Sequence, residues 1–126
     1  MKFEIFKYDS VTSTNDVAIN LIKEKKKESG YVYADKQTKG RGTQGKKWIS
    51  NEGNLFGTIF FELKNTYPPF NEFSIINPII ISDIIETFCK EKIISVKWPN
   101  DILVNKKKIC GILQEVIISN DKKFLL

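Results

Sequence analysis

The chain has no histidine, a single arginine (Arg41) and two cysteines, Cys89 and Cys110. Without histidine there is no serine triad of the usual kind, no imidazole base and no ordinary zinc site. The cysteines are not in CxxC spacing and have no metal-ligating neighbour, which argues against a metal or dithiol centre. No apolar run approaches the roughly 18 residues needed to span a bilayer. The start, Met1-Lys2-Phe3-Glu4-Ile5, alternates in polarity and lacks the apolar core of a signal peptide. A reducing cytoplasm is the simplest compartment for such a chain, and no membrane partner is expected. Internal repeats and low-complexity linkers are absent as well.

What is present suits one folded domain. The 126 residues are 41% hydrophobic and 12% aromatic, enough for a real core. The net charge of +5 points to anionic partners, whether nucleotide, nucleic acid or acidic protein, without choosing among them. Lysine dominates the basic residues and Ile and Asn are plentiful, a bias that an AT-rich coding sequence also produces.

Residues 2–8 alternate as a half-buried strand, and the hydroxyls of Ser10 to Ser13 offer caps for a helix that places Val17, Ala18, Leu21 and Ile22 on one face. Lys23 to Glu28 read as its charged end and Gly30 as its stop. A strand over 31–36 leads into a Gly-rich loop over 38–47. Residues 55–63 read as a buried strand closed off by Tyr67-Pro68-Pro69. Dense apolar residues from Ser74 to about Lys92 predict a deeply buried helix, starting near Asn77 so that Pro78 falls in its first turn. A strand over 93–98 ends at Pro99, and strands over 102–105 and 109–118 pair across Asn105-Lys106-Lys107-Lys108. A second turn at Asn120-Asp121 precedes Phe124-Leu125-Leu126, which wants a neighbouring strand or more chain to cover it.

The loop is the first functional candidate. Between Lys36 and Lys47 lie Lys36, Lys39, Arg41, Lys46 and Lys47, with Gly40, Gly42 and Gly45 and no acid. Glycine lets backbone amides turn toward an anion, and the one guanidinium of the chain, a planar fork suited to carboxylate or phosphate, falls inside. A flexible lysine-bearing surface loop has the same composition. Ser13-Thr14-Asn15 is a second candidate: a helix cap, or a hydroxyl and an amide able to bond a cyclic urea.

Lys97-Trp98-Pro99-Asn100-Asp101, with Gln37, Gly40-Arg41-Gly42, Gly45 and Trp48, resembles the signatures of biotin-protein ligases. Lys108-Ile109-Cys110-Gly111-Ile112-Leu113-Gln114-Glu115 resembles that family's Lys-hydrophobic-small-Gly-Ile-Leu-x-Glu strand. The resemblance spans nearly the whole chain. It implies an α+β fold, a mixed and largely antiparallel sheet with helices packed on one face. Residues 1–126 would form a single catalytic domain short of the family's last core segment and C-terminal β-barrel, without a DNA-binding helix-turn-helix and hence without operator binding.

By resemblance the chain activates biotin with ATP and Mg²⁺ to biotinyl-AMP and transfers it to a lysine of a biotin carboxyl carrier protein, as in acetyl-CoA carboxylase. Ser13, Thr14, Asn15, Gln37, Gly40, Arg41 and Gly111 would meet biotin. Gly42, Thr43, Gly45, Lys46, Trp48, Asn100 and Lys108 would meet ATP or the adenylate. Arg41, Lys97 and Lys108 would offset charge during adenylation, and Asp101 would receive the carrier amine. The loop is implied to close over its ligand. Thr43 and Lys46 depart from the pattern, which most often has arginine there, and the first departure implies looser retention of the adenylate. Three other readings stand beside this one: a lipoate-protein ligase, although that family's Arg-Arg and Gly-Gly-Gly-rich motif is missing, a non-catalytic remnant that binds biotin or carrier, and a basic nucleic-acid binder.

Overall fold

The structure, a computed structural model, describes residues 3–126. The contacts gather into two units, one made of Met1–Asn65 with Glu115–Leu126 and the other of Thr66–Gln114.

The first unit is built on a five-stranded sheet. Its strands are β1 (Glu4–Val11), β2 (Ser29–Gln37), β3 (Phe56–Glu62), β7 (Val116–Ser119) and β8 (Lys122–Leu125), in the order β1-β2-β3-β8-β7. Only β1 and β2 run parallel, and the crossover this demands is helix α1 (Thr14–Lys23). Alternation decides which side chains meet the helix. Val32, Phe60 and Phe124 point inward from three strands onto Ala18, Leu21 and Ile22, and Leu126 joins them. The apolar C-terminus is thus covered by strand pairing: β8 bonds to both β3 and β7.

Several sequence expectations shift here. The first strand, expected over 2–8, is observed from Glu4 to Val11, and Lys2 lies outside the described residues. Ser10 therefore belongs to the strand, and the capping is done by Ser13, whose Oγ accepts from the Asp16 amide at 3.0 Å. Gly30 does not stop the helix, which ends at Lys23. It lies inside β2 opposite Phe60, where a Cβ would stand 2.8 Å from the Phe60 ring and 2.9 Å from Phe6, so close packing of rings is what calls for glycine there. The strand expected to be buried over 55–63 is buried on one face only, with Phe56, Thr58 and Phe60 inward and Ile59 55% exposed.

The second unit pairs helix α2 (Phe73–Phe88) with a three-stranded antiparallel sheet, β4 (Ile94–Lys97), β5 (Asp101–Val104) and β6 (Lys107–Gly111). The helix begins before Asn77. A 3₁₀ turn at Phe70–Glu72 leads into it, buried Phe73 anchors its first residue, and Pro78 sits in the second turn at the cost of one backbone bond. It is not deeply buried. Only Phe73 and Pro78 are covered, while Ile79, Ile80 and Ile84 are exposed and Phe88 is 83% exposed. Apolar side chains run around the helix, but this unit covers only one stripe of it.

The strand expected over 109–118 is two. β6 ends at Gly111 in the three-stranded sheet, and β7 starts at Val116 in the five-stranded one. The turn before β6 is also tighter than expected. Asn105 and Lys106 alone take left-handed φ values of 48° and 66°, so Lys107 and Lys108 belong to the strand. Asn120-Asp121 repeats that geometry between β7 and β8, at 49° and 59°. No helix among the described residues is long and apolar enough to cross a membrane.

Candidate functional site

In the first unit three separated segments meet at the N-terminus of α1. The Thr14 amide donates to Gln37 Oε1 at 2.8 Å, with the Thr14 hydroxyl 3.3 Å from the same oxygen. Gln37 Nε2 donates to Ser50 Oγ at 3.0 Å, and the Ser50 hydroxyl donates to the Trp48 carbonyl. Gly40 lies under this pair: a Cβ there would stand 2.5 Å from Ser50 Oγ and from the Trp48 carbonyl oxygen. Beneath the helix end, buried Thr58 donates to Asn15 Oδ1 and lies 2.8 Å from Thr14 Oγ1.

The Gly-rich loop is a short hairpin. Arg41 bridges Lys47, the Trp48 amide donates to the Gly40 carbonyl at 2.8 Å, and the Gly42 amide donates to the Lys46 carbonyl at 2.7 Å. At the tip, Thr43–Gly45 form a tight turn in which Gln44 and Gly45 take left-handed φ values of 57° and 72°. The N–H groups of Gly42 and Trp48 close the hairpin, so these two amides are spent within the loop and do not turn toward an anion as expected.

Arg41 is held by two carboxylates. Its Nη1 donates to Glu115 Oε1 at 2.6 Å and its Nη2 to Glu115 Oε2 at 3.0 Å, a two-pronged contact, and Nη2 also meets Asp16 Oδ1 at 2.9 Å. Glu115 Oε2 further accepts from Asn15 Nδ2 at 2.7 Å. The hydrogen bond to Glu115, opposed by burial and aided by attraction to Glu115 and Asp16, raises the Arg41 pKa above its ordinary value. Arg41 Nε is buried and has no hydrogen-bond partner among the described residues.

The second unit gathers the rest. Lys97 ends β4 opposite Asp101, which opens β5 and pairs on its other side with Gly111. A bulge between Ile102 and Leu103 shifts the register of β6, and Lys108 Nζ lies 2.8 Å from Asp101 Oδ1. Asn100 braces the strand exit: its side chain donates to the Ile112 carbonyl at 3.0 Å while its own carbonyl accepts from the Ile112 amide. The Trp98–Pro99 peptide is cis. Among the described residues no group of three or more His, Cys, Asp or Glu is placed to hold a metal ion.

The structure thus draws Thr14, Asn15, Gln37, Gly40 and Arg41 into one network, with Ser13 capping the helix beside it. Gly42, Thr43, Gly45 and Lys46 form the loop tip, with Trp48 at the hairpin base, and Lys97, Asn100, Asp101, Lys108 and Gly111 cluster in the second unit. Sequence reasoning passed over Asp16, Ser50 and Thr58, and it named Glu115 only as the end of the Lys108–Glu115 motif, without a role in the site. For Thr58 a signal existed, since strand alternation puts it inward between Phe56 and Phe60, where a hydroxyl needs a partner.

A mixed sheet crossed by α1 from β1 to β2, with a glycine hairpin at the helix end, defines the class. The chain belongs to the Biotin/lipoate A/B protein ligase family, which it matches over residues 7–125. Within that family it is homologous to biotin protein ligases. It is 32% identical over 116 residues to the bifunctional ligase/repressor BirA of Bacillus subtilis, covering 91% of this chain and 35% of that protein. To the biotin–[acetyl-CoA-carboxylase] ligase of Paracoccus denitrificans it is 32% identical over 88 residues, covering 69% of this chain and 37% of the other. Among solved structures, the Aquifex aeolicus biotin protein ligase in complex with biotin and ATP superposes with a TM-score of 0.75 at 31% identity, over 99% of this chain and 50% of that one. The Leishmania major biotin protein ligase in complex with biotin gives 0.80 at 27% identity, over 99% and 55%. The chain spans about a third of the length of the curated relatives it matches.

Proposed function

We propose that this chain carries out the chemistry of a biotin protein ligase: biotin and ATP form biotinyl-AMP with release of pyrophosphate, and the biotinyl group passes to a lysine of a carboxylase carrier protein in the cytoplasm with release of AMP. The observation that carries the reading is the meeting of Thr14-Asn15, Gln37 and Arg41 at one helix end. A cyclic urea with a carboxylate tail presents the complementary set, a carbonyl acceptor, two N–H donors and an anion. The relatives named for biotin ligation, one of them for acetyl-CoA carboxylase, support the substrate and the carrier.

When a carboxylate attacks the α-phosphorus of ATP, two anions approach and charge builds on the phosphoryl oxygens. Fixed cations offset it, and the family resemblance proposes Arg41 of the first unit and Lys97 and Lys108 of the second for that role. Arg41 stays cationic throughout, as a guanidinium does at any physiological pH. Lys108 lies against Asp101, so the second unit brings together a cation for phosphate and an acceptor for the ammonium of the carrier lysine. That lysine attacks as a neutral amine although its ordinary pKa is about 10.4, and Asp101 takes the proton directly or through water. Magnesium arrives with the nucleotide. Bound with ATP, it would neutralise charge on the departing pyrophosphate.

Incubation with biotin, MgATP and a carrier domain, followed by the intact mass of the carrier, tests the reading. A carrier heavier by one biotinyl group is expected. Thermal stabilisation by biotin with neither biotinyl-AMP nor labelled carrier would reduce the chain to a binding domain.

A further inference from the structure

Glu115 lies between the two sheets in sequence, after β6 and one residue before β7, and its backbone is pinned. Its amide donates to the Leu126 carbonyl at 3.1 Å, and its carbonyl accepts from the Leu126 amide at 2.9 Å, with Leu126 itself in the core. From that fixed point the carboxylate reaches two candidate binding residues at once, Arg41 through both terminal nitrogens and Asn15 through its amide. Asn15 is fixed from its other end by buried Thr58. The chain from core to loop is therefore Thr58, Asn15, Glu115, Arg41.

We infer that Glu115 is a positioning residue for the vitamin site: it fixes the Arg41 guanidinium through Nη1 and Nη2, and it orients Asn15 in the same contact. This deepens the functional reading above and rests on it. A two-pronged carboxylate fixes the plane of a guanidinium, which one bond does not. Asp16 gives Arg41 only one bond and its side chain is 43% exposed, against 26% for Glu115, so the geometric constraint belongs to Glu115. A flexible arginine on a glycine hairpin would have to be ordered by each incoming ligand, and that entropy would come out of the affinity.

Because Arg41 is the only arginine, its side-chain N–H signals are the only ones of their kind in a ¹H–¹⁵N spectrum of the whole chain. Hindered rotation should give resolved Arg41 Nη–H signals in the wild type. In Glu115→Gln they should merge, with biotin affinity down about tenfold, the scale of a lost charge-assisted hydrogen bond. In turnover the loss should fall on KM for biotin more than on kcat, and Asp16→Asn should change neither readout comparably. Unchanged Arg41 signals and unchanged biotin affinity in Glu115→Gln, in a protein that melts cooperatively, would overturn the inference while leaving the ligase reading intact. Failure of the wild type to bind biotin would instead remove the ligase reading and the vitamin-site role with it. The Arg41 spectra of wild type and Glu115→Gln would still decide whether Glu115 holds the guanidinium. Glu115→Asp, which keeps the charge but shortens the arm, should retain part of the affinity that Glu115→Gln loses.

Discussion

Thr58 Oγ1 donates to Asn15 Oδ1 beneath the first turn of α1, joining the middle of β3 to a segment 43 residues earlier. Both residues are buried. Thr58→Val keeps the shape and removes the donor, leaving the Asn15 oxygen without its bond, and should destabilise the chain by about 1–3 kcal/mol. Urea unfolding measures this. A destabilisation indistinguishable from zero would mean the pair is not formed.

Gly30→Ala tests the close packing in β2. The new Cβ meets the Phe60 ring at 2.8 Å and Phe6 at 2.9 Å, and Phe60 is fully buried in the core, where its ring has no room to swing away. Overpacking of this kind costs about 1–3 kcal/mol. Because Gly30 does not stop a helix, the circular-dichroism helix signal should stay at its wild-type level while the melting temperature falls.

The Lys108–Asp101 pair predicts a split in the chemistry. Lys97→Ala and Lys108→Ala should each slow biotinyl-AMP formation, by about 10²–10³ if each cation acts in the transition state. Asp101→Ala should mainly slow transfer from preformed biotinyl-AMP, by about 10²–10⁴. At 2.8 Å the two side chains are coupled, so Lys108→Ala with Asp101→Ala should not be additive. Full turnover in all three single variants would remove the mechanism.

Cys110 supplies a pH prediction. Burial pushes its thiol pKa up, attraction from Lys108 opposes this, and Asp101 adds to it. A raised pKa means less thiolate at any given pH, so iodoacetamide alkylation of Cys110, isolated in Cys89→Ser, should accelerate only at higher pH than a free cysteine. Lys108→Ala should move the inflection further up and Asp101→Asn down. Movement in the opposite directions would contradict the environment described for this thiol.

Thr43, at the hairpin tip where the family resemblance implies arginine, predicts leakiness. Wild type should release preformed biotinyl-AMP faster than Thr43→Arg, read by filter retention of labelled adenylate. Equal rates would leave the tip residue without a role in retention.

How much of this was legible in the chain depends on the range of the interaction. The cap at Ser13, the strand alternation of Val32 and Phe60 and the turn at Asn120-Asp121 are local, and periodicity or residue type reveals them. Three errors share one cause. Gly30 read as a helix stop, 109–118 as one strand, and α2 as buried, because ring packing, strand partner and coverage are set by residues distant in sequence.

The same division runs through the candidate site. Sequence by itself determined its chemical vocabulary, one guanidinium among glycines, a Ser-Thr-Asn helix start and the Lys-Trp-Pro-Asn-Asp signature, and with it the family. Tertiary structure decided the partners: Arg41 bonded to Glu115, 74 residues away, Asn15 to Thr58 and Glu115, and Gln37 to Thr14 and Ser50. A side chain's type sets which bonds it can make, and only the folded backbone brings a particular acceptor within the roughly 3 Å at which one forms.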